Sequence, residues 1–459
     1  MNLSRRHFLF LSAAALLQPG TSGGKRDMIV RAARPLDLEM PIEGFSDYIT
    51  PIDHFFVRSH VYTPRVDIGQ WRLTVDGEVA NALTLTMDDL RRMPSVELVS
   101  VLECAGNGRG FYEPSMPGLQ WGHGAVGNGR WRGVRLADVL KRAGLKASPK
   151  EVLFNGADTP LGTMPDFQRS IPIAKALHPA TLLAYEMNGE MLPMEHGFPL
   201  RLVVPGWAGD SWIKWVTSIS VLDREHDGFW MARAYRHPGR AVQPGTAVPP
   251  EQMHPVTSLR VKSLIMEPRD GQAVTQFTRV GEPLTIRGAA WSGDAGPGAR
   301  VDVSVDGGRS WTGAALPRDQ RTDFGWRLWS YRWTPRREGE YTVLVRARDA
   351  AGITQPLEQE WNPSGYLWNV VPRVTVRVGL GVEGGIGDDV RQSSPPPALK
   401  SSCLACHDDD VIRQQRLTRA QWDTEINKMV GWGAKVPDQD RSALLDFFAE
   451  RYGPRPRRP

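Results

Sequence analysis

The chain has 459 residues, 41% of them hydrophobic and 23% charged, with 56 lysines and arginines against 51 aspartates and glutamates for a net charge of +5. That length exceeds what one hydrophobic core organises and sets an expectation of about three domains. Several of the excess positives fall in the N-terminal segment and in the tail Arg455-Pro456-Arg457-Arg458-Pro459. No nucleic-acid face is therefore expected, and the modest positive potential that remains favours collection of an anion.

At the N-terminus, Ser4-Arg5-Arg6-His7-Phe8-Leu9 precedes the apolar stretch Phe10 to Leu17. A basic region followed by an apolar run too short to cross a bilayer is the pattern of an export signal, and the paired arginines make it a twin-arginine signal. Residues 1–25 are read as that signal, and the periplasm as the destination. An ordinary export signal with an incidental Arg-Arg is the alternative. No later apolar run approaches the roughly 20 residues of a membrane helix, so the mature protein is expected to be soluble, with no membrane span.

Over residues 26–249, short strands alternate with helical pieces such as Leu136 to Ala143, which predicts an α+β domain rather than a regular parallel wound sheet. This stretch contains Cys104 in Glu103-Cys104-Ala105-Gly106-Asn107-Gly108-Arg109. There the glycines permit close backbone approach and the arginine favours anions. Taken alone, such a cysteine reads as a small buried hydrophobe. Pro238 to Pro255 is rich in proline and glycine and reads as a linker.

Residues 250–378 change character. Leu284 to Arg287, Val301 to Val305, Trp326 to Trp333 and Tyr341 to Ala347 are short, alternating and β-branched or aromatic, with turn signals such as Asp306-Gly307-Gly308 between them. They predict an immunoglobulin-like β-sandwich, with Trp311, Trp326, Trp329 and Trp333 as core and interface residues. Residues 379–397 are rich in glycine, serine and proline and read as a flexible linker, so that whatever follows is tethered and partly mobile.

Residues 398–459 read as a small all-α cytochrome c domain. Cys403-Leu404-Ala405-Cys406-His407 is a C-x-x-C-H run, the spacing with which Cys403 and Cys406 form thioethers to a covalent haem c while His407 ligates its iron. A half zinc site is the competing reading, but no cysteine or histidine follows His407 to complete one. Thr418-x-x-Gln421 is a capping box opening a helix through Val430, and Pro437-Asp438 starts a second helix carrying Leu444, Leu445, Phe447 and Phe448. Met429 is the one methionine after His407 and so the candidate sixth iron ligand. Lys428, Lys435, an open site, or a core role for Met429 are the alternatives.

Ordered fragments from residue 45 to 378 carry a family resemblance. They include Phe55-Phe56-Val57-Arg58-Ser59-His60, the run from Cys104 to Arg109, Gly118-Leu119-Gln120-Trp121, and His196-Gly197-Phe198-Pro199-Leu200-Arg201. Further fragments are Lys214-Trp215 and Phe229-Trp230-Met231-Ala232-Arg233-Ala234-Tyr235. In these the chain resembles the sulfite oxidase family of molybdenum enzymes. The resemblance implies an α+β molybdopterin-binding domain of sulfite oxidase type, with the β-sandwich as a dimerisation domain and a homodimer as the assembly. It implies Cys104 as the thiolate ligand of molybdenum, Arg58, Arg109 and Tyr235 as the oxyanion pocket, and His60, His196, Arg201 and Lys214 as holders of the pterin cofactor, mostly through its phosphate.

These types suit that chemistry. Guanidinium forks give paired, charge-assisted hydrogen bonds to an oxyanion, a phenol can donate to an oxygen and relay a proton, and a thiolate is a soft metal ligand. Three positions depart from the family pattern: Gly108 stands where many members have arginine, Pro117 where the animal enzymes carry lysine, and Arg236 where lysine is common. The expectation is a periplasmic sulfite dehydrogenase with a molybdenum-molybdopterin centre, acting on sulfite or a related sulfur oxyanion. Its electrons would pass through the covalent haem to a soluble cytochrome c. A sulfane dehydrogenase acting on carrier-bound sulfur, and a non-catalytic electron-transfer protein, are the alternatives.

Overall fold

The structure is a computed structural model that describes residues 25, 27–269, 277–296, 298, 300–379, 396–404 and 409–454. The expected signal segment up to residue 24, most of the expected linker, and Cys406 and His407 of the haem motif lie outside the described residues.

Two five-stranded sheets organise the first part of the chain. One runs in the order Glu190–Met191, Leu182–Met187, Val126–Arg135, Ser95–Glu103, with Arg201–Val203 also pairing Leu182–Met187. All its pairings are antiparallel, and Ser95 faces Val134 while Glu103 faces Val126. The other runs Leu83–Leu85, Leu73–Gly77, Val216–Leu222, Glu151–Gly156, Arg169–Pro172, and only the pairing of Val216–Leu222 with Leu73–Gly77 is parallel. This mixed arrangement is the expected α+β type. The helix Leu136–Ala143 forms at its predicted bounds because Leu136, Val139, Leu140 and Ala143 recur at helical spacing and are all fully buried. Gly144, at φ +73°, closes it.

The second part is a sandwich of a three-stranded sheet, Lys262–Glu267, Leu284–Trp291, Arg327–Trp333, against a five-stranded one. The latter is ordered Phe277–Thr278, Arg373–Val378, Gly339–Arg348, Arg300–Ser304, Thr312–Gly313. Alternation of apolar residues along each strand turns Ile286, Val301, Val303, Val343, Val345, Val374 and Val376 into one core with Trp329 and Trp333. Trp326 instead joins a core between the two parts, with Phe45, Val101, Ala105, Tyr235, Leu264 and Trp291. Trp311 is only half-buried, beneath the guanidinium of Arg346 at 4.3 Å. The two parts therefore share a hydrophobic boundary, and Ala105, next to Cys104, sits in it.

The described residues between 396 and 454 are largely helical. A wide turn over Leu399–Cys403, closed by the Leu404 N–H on the Leu399 carbonyl (3.2 Å), leads to helices Asp410–Arg413, Arg419–Gly431 and Asp438–Tyr452. Thr418 and Gln421 form the predicted capping box. Leu399, Ile412, Leu417, Trp422, Ile426, Leu444, Leu445, Phe447 and Phe448 make a separate small core. Among the described residues no helix is long and apolar enough to cross a membrane.

The helical part is seated on the first domain along two rims. On one, the Gln120 N–H donates to Gln414 Oε1 (2.6 Å), Gln415 Nε2 to the Gly118 carbonyl (2.7 Å) and Gln414 Nε2 to the Arg31 carbonyl (2.7 Å). On the other, Thr163 Oγ1 donates to the Gly431 carbonyl (3.1 Å), and Trp432 packs on Phe229 and Trp230 with ring centroids 6.4 Å away from each. A tether of flexible composition thus ends in a domain with its own docking contacts.

Candidate active site

Cys104 leaves the end of strand Ser95–Glu103 in a tight loop. Its N–H donates to the Ala125 carbonyl (2.9 Å), and its carbonyl accepts from the Asn107 N–H (2.9 Å). Burial pushes the thiol pKa up, opposed by Arg58, the Gly106 N–H and Arg109. Gly108 takes φ +87°, and a Cβ there would meet Trp368 at 2.5 Å. The position at which the family resemblance implied room for an arginine is therefore closed in this chain by a tryptophan from the sandwich half.

Arg109 is 8% exposed, and its chain is enclosed by glycines. A Cβ on Gly106, Gly118 or Gly365 would lie 2.9, 2.8 or 3.0 Å from it. Nη1 reaches the Leu119 carbonyl (3.3 Å), Nη2 the Ser364 carbonyl (3.5 Å), and the guanidinium lies 5.0 Å over Tyr366. Its Nε has no hydrogen-bond partner among the described residues. Arg58 lies against Asp37 (3.4 Å) and the Ser59 carbonyl. Burial opposes its charge, but Asp37, Tyr235 and Cys104 raise its pKa above the ordinary arginine value.

Tyr235 holds a left-handed backbone, φ +49°, which a bulky residue adopts only when its surroundings impose it. Its hydroxyl is 2.8 Å from His60 Nε2, and its ring stacks on Tyr366 at 5.3 Å and 11°. Burial raises the phenol pKa well above its usual value, with Arg58 opposing. Burial, then the cations Arg58, Lys214 and Arg169, lowers that of His60. The pair is thus a protonated phenol beside a neutral imidazole.

One cavity of about 550 Å³ joins these residues to the helical part. Arg58, His60, Cys104, Arg109, Tyr235 and Tyr366 line one end, and Cys403, Trp422, Ile426, Met429, Val436 and Phe448 the other. Burial pushes the Cys403 thiol up to about 11. A smaller adjoining cavity, about 80 Å³, shares Arg58, His60, Cys104 and Tyr235 and adds Asp158, His196, Arg201 and Lys214. The structure therefore gathers every described residue expected at the metal, the oxyanion and the pterin around two connected spaces.

Two cations of the smaller cavity, Arg201 and Lys214, lack a direct carboxylate partner among the described residues, although Asp158 and Asp37 lie near enough to favour the charge on Lys214. Arg201 donates to the His196 carbonyl (2.9 Å), its Nε lacks a partner, and burial brings its pKa down to about 9. Lys214 donates to Ser59 Oγ (2.8 Å), the Glu195 carbonyl (3.0 Å) and the Arg58 carbonyl (3.1 Å). Burial, then Arg201, lowers its pKa to about 7. Among the described residues no carboxylate forms an ion pair with either. Buried cations in this state call for an anionic ligand, so the residues fit a pterin phosphate, with the soft Cys104 thiol at the junction to meet a metal. Among the described residues no three His, Cys, Asp or Glu side chains cluster as a metal site.

Several residues at the site were not anticipated. Tyr366 and Ser364 come from the far side of the sandwich sequence, Asp37 from the short strand Asp37–Glu39 and Asp158 from a loop, neither of them within a motif. Lys25, the last residue of the expected signal segment, belongs to the first domain here: its ammonium contacts the Ile52 carbonyl, the Phe55 carbonyl (2.8 Å) and His196 Nε2 (2.9 Å). Arg236 turns to the Met231 (2.9 Å) and Met253 carbonyls and does not line either cavity, so the charge it retains lies outside the pocket.

Comparison with known proteins agrees with this geometry. Residues 60–230 match the oxidoreductase molybdopterin binding domain, and residues 253–379 the Mo-co oxidoreductase dimerisation domain. The chain is 39% identical over 364 residues to the mitochondrial sulfite oxidase of Homo sapiens, covering 76% of this chain and 65% of that protein. It is 32% identical over 374 residues to the sulfite oxidase of Arabidopsis thaliana, covering 76% of this chain and 94% of that one. The chain thus spans about 65% of the length of its mammalian relatives. Among solved structures it is similar to the sulfane dehydrogenase SoxCD from Paracoccus pantotrophus, with TM-score 0.64 and 28% identity over 76% of this chain and 87% of that one. Neither matched domain includes the helical part.

Proposed function

The chain belongs to the sulfite oxidase family, and on that premise we propose that it is a periplasmic sulfite dehydrogenase that oxidises sulfite at a molybdenum-molybdopterin centre. Its electrons pass through a covalent haem c on its own C-terminal domain to a soluble cytochrome c. The observation that carries this reading is the single cavity with Cys104, Arg58, Arg109 and Tyr235 at one end and Cys403 and Met429 at the other. Export rests on Arg5-Arg6 and the apolar run after them, and a homodimer on the match to a dimerisation domain.

In the overall reaction, sulfite and water give sulfate, two protons and two electrons, and the electrons leave singly for two molecules of cytochrome c. Bound molybdenum supplies the two-electron oxygen-transfer chemistry, and the chain supplies position and charge. Cys104 would hold the metal, with His196, Arg201 and Lys214 on the pterin phosphate. Arg58 and Arg109 bind the doubly charged oxyanion, and the unpartnered Nε of Arg109 has a hydrogen bond still to give. Because burial keeps the Tyr235 phenol protonated, its hydroxyl acts as a donor toward an anionic oxygen, while neutral His60 holds it in place through the 2.8 Å contact. Cys403, with Cys406 and His407, would hold the haem, and Met429 on the cavity wall would supply a further ligand to its iron.

A second reading, oxidation of carrier-bound sulfane sulfur, is favoured by the similarity to SoxCD. Steady-state reduction of cytochrome c by purified enzyme, with free sulfite and with a sulfane-loaded carrier protein as alternative donors, separates the two. Turnover with sulfite alone is expected. Turnover confined to the carrier would replace the first reading with the second, and turnover with neither would leave the non-catalytic electron carrier.

A further inference from the structure

We propose that Lys262, contributed by the β-sandwich, is a positioning residue that sets the geometry and the charge balance of the loop carrying Cys104. The inference rests on the reading of Cys104 as the metal's thiolate ligand. Glu103, the residue before it, is 5% exposed, and its carboxylate accepts three hydrogen bonds: from Lys262 Nζ (2.6 Å), Trp291 Nε1 (2.7 Å) and Asn107 Nδ2 (2.8 Å). Lys262 is 4% exposed, and its ammonium also reaches the Asn107 carbonyl (3.4 Å). Asn107 closes the ring: its Oδ1 accepts from the Ala125 N–H (3.1 Å), while the Ala125 carbonyl accepts from the Cys104 N–H (2.9 Å). Lys262 and Trp291 lie on neighbouring strands of the sandwich, so the loop with Cys104 and Arg109 is held from behind by the other domain.

The consequence is electrostatic as well as steric. A buried ion pair is little screened by salt, and removing one partner exposes the whole charge of the other. A negative charge beside the sulfur ligand stabilises the oxidised metal and lowers its reduction potential, and a positive charge raises it. Lys262→Met uncovers Glu103 and therefore lowers the molybdenum potential. Glu103→Gln uncovers Lys262 and raises it, and the double variant returns it near the wild-type value. A purely structural pair would behave differently, since both single changes would weaken the fold and neither would move the potential by its sign.

The test is a redox titration of the molybdenum signal by electron paramagnetic resonance on purified holoprotein, with metal content measured in parallel. Opposite shifts in the two single variants, cancelling in the double, are expected. Where a single variant does not fold, Glu103→Lys with Lys262→Glu keeps the ion pair while placing the cation next to Cys104, and is expected to raise the potential. Unmoved potentials, or shifts of one sign in both single variants, in molybdenum-loaded protein would overturn the role of Lys262 alone. Purified wild-type protein without molybdenum would overturn the reading of Cys104 and this inference with it.

Discussion

The two ends of the central cavity are built in opposite ways. Around Cys104 the walls are guanidinium, ammonium, imidazole and phenol groups, held close by glycines and left with unpartnered N–H groups. Around Cys403 they are mostly apolar, Trp422, Ile426, Val436 and Phe448 with Gln415, Glu425 and Lys428 among them, carried by short helices with a small core of their own. On the function proposed above, anions would complete the first end and a large, mainly apolar group held by a covalent anchor would complete the second. Binding an oxyanion needs fixed cations, whereas relaying an electron needs a dry, rigid seat. In the proposed function each comes from a different domain, and residues of both domains line one cavity.

The sharpest way to break this contrast is Cys104→Ser. Sulfite oxidation is expected to be abolished while haem content and folding stay unchanged, because an alkoxide is a poor substitute for a thiolate on this metal. Steady-state assay and haem absorbance on the same molybdenum-loaded sample check it, and substantial turnover would detach Cys104 from the metal. Arg58→Met and Arg109→Met come next. Losing a hydrogen bond to a charged group costs about 1.5–3 kcal/mol, so kcat/KM for sulfite is expected to fall by about one to two decades, with haem spectra unaltered. A distant Arg→Met serves as the control, and equal small effects at all three would move the oxyanion elsewhere.

At the apolar end, Met429→Ala is expected to lower the haem potential and remove a sulfur-to-iron charge-transfer band, leaving molybdenum content untouched. An unchanged spectrum would return Met429 to a packing role. The effect furthest from activity is on stability and concerns Lys214 in protein prepared without cofactor. Its folded pKa, about 7, lies below the ordinary lysine value of 10.5, so the unfolded chain binds more protons between those values and stability rises with pH across them. Between pH 7 and 9 a gain of up to about 3 kcal/mol is expected, lost in Lys214→Met and reduced when cofactor neutralises the site. Denaturant melts at the two pH values measure it.

The contrast also separates what the sequence discloses from what it hides. The capping box at Thr418, the helix from Leu136 to Ala143 and the alternating strands of the sandwich are local patterns, and they fold where those patterns lie. Arg58, Cys104, Arg109 and Tyr235 were legible through their family fragments. Tyr366, Lys262 and Asp37 were not, because each earns its place through a partner distant in sequence, as Lys262 does with Glu103. Gln414 and Gln415 look like ordinary polar surface in the sequence, yet they seat the helical part on the first domain.

The central claim is that oxyanion chemistry and electron relay are coupled within one chain, and pre-steady-state reduction of the bound haem tests it most directly. Oxidised enzyme mixed with excess sulfite, without external cytochrome c, is expected to reduce its haem in a first-order phase whose rate constant is independent of enzyme concentration. Haem that stays oxidised, or a rate that rises in proportion to enzyme concentration, would contradict it.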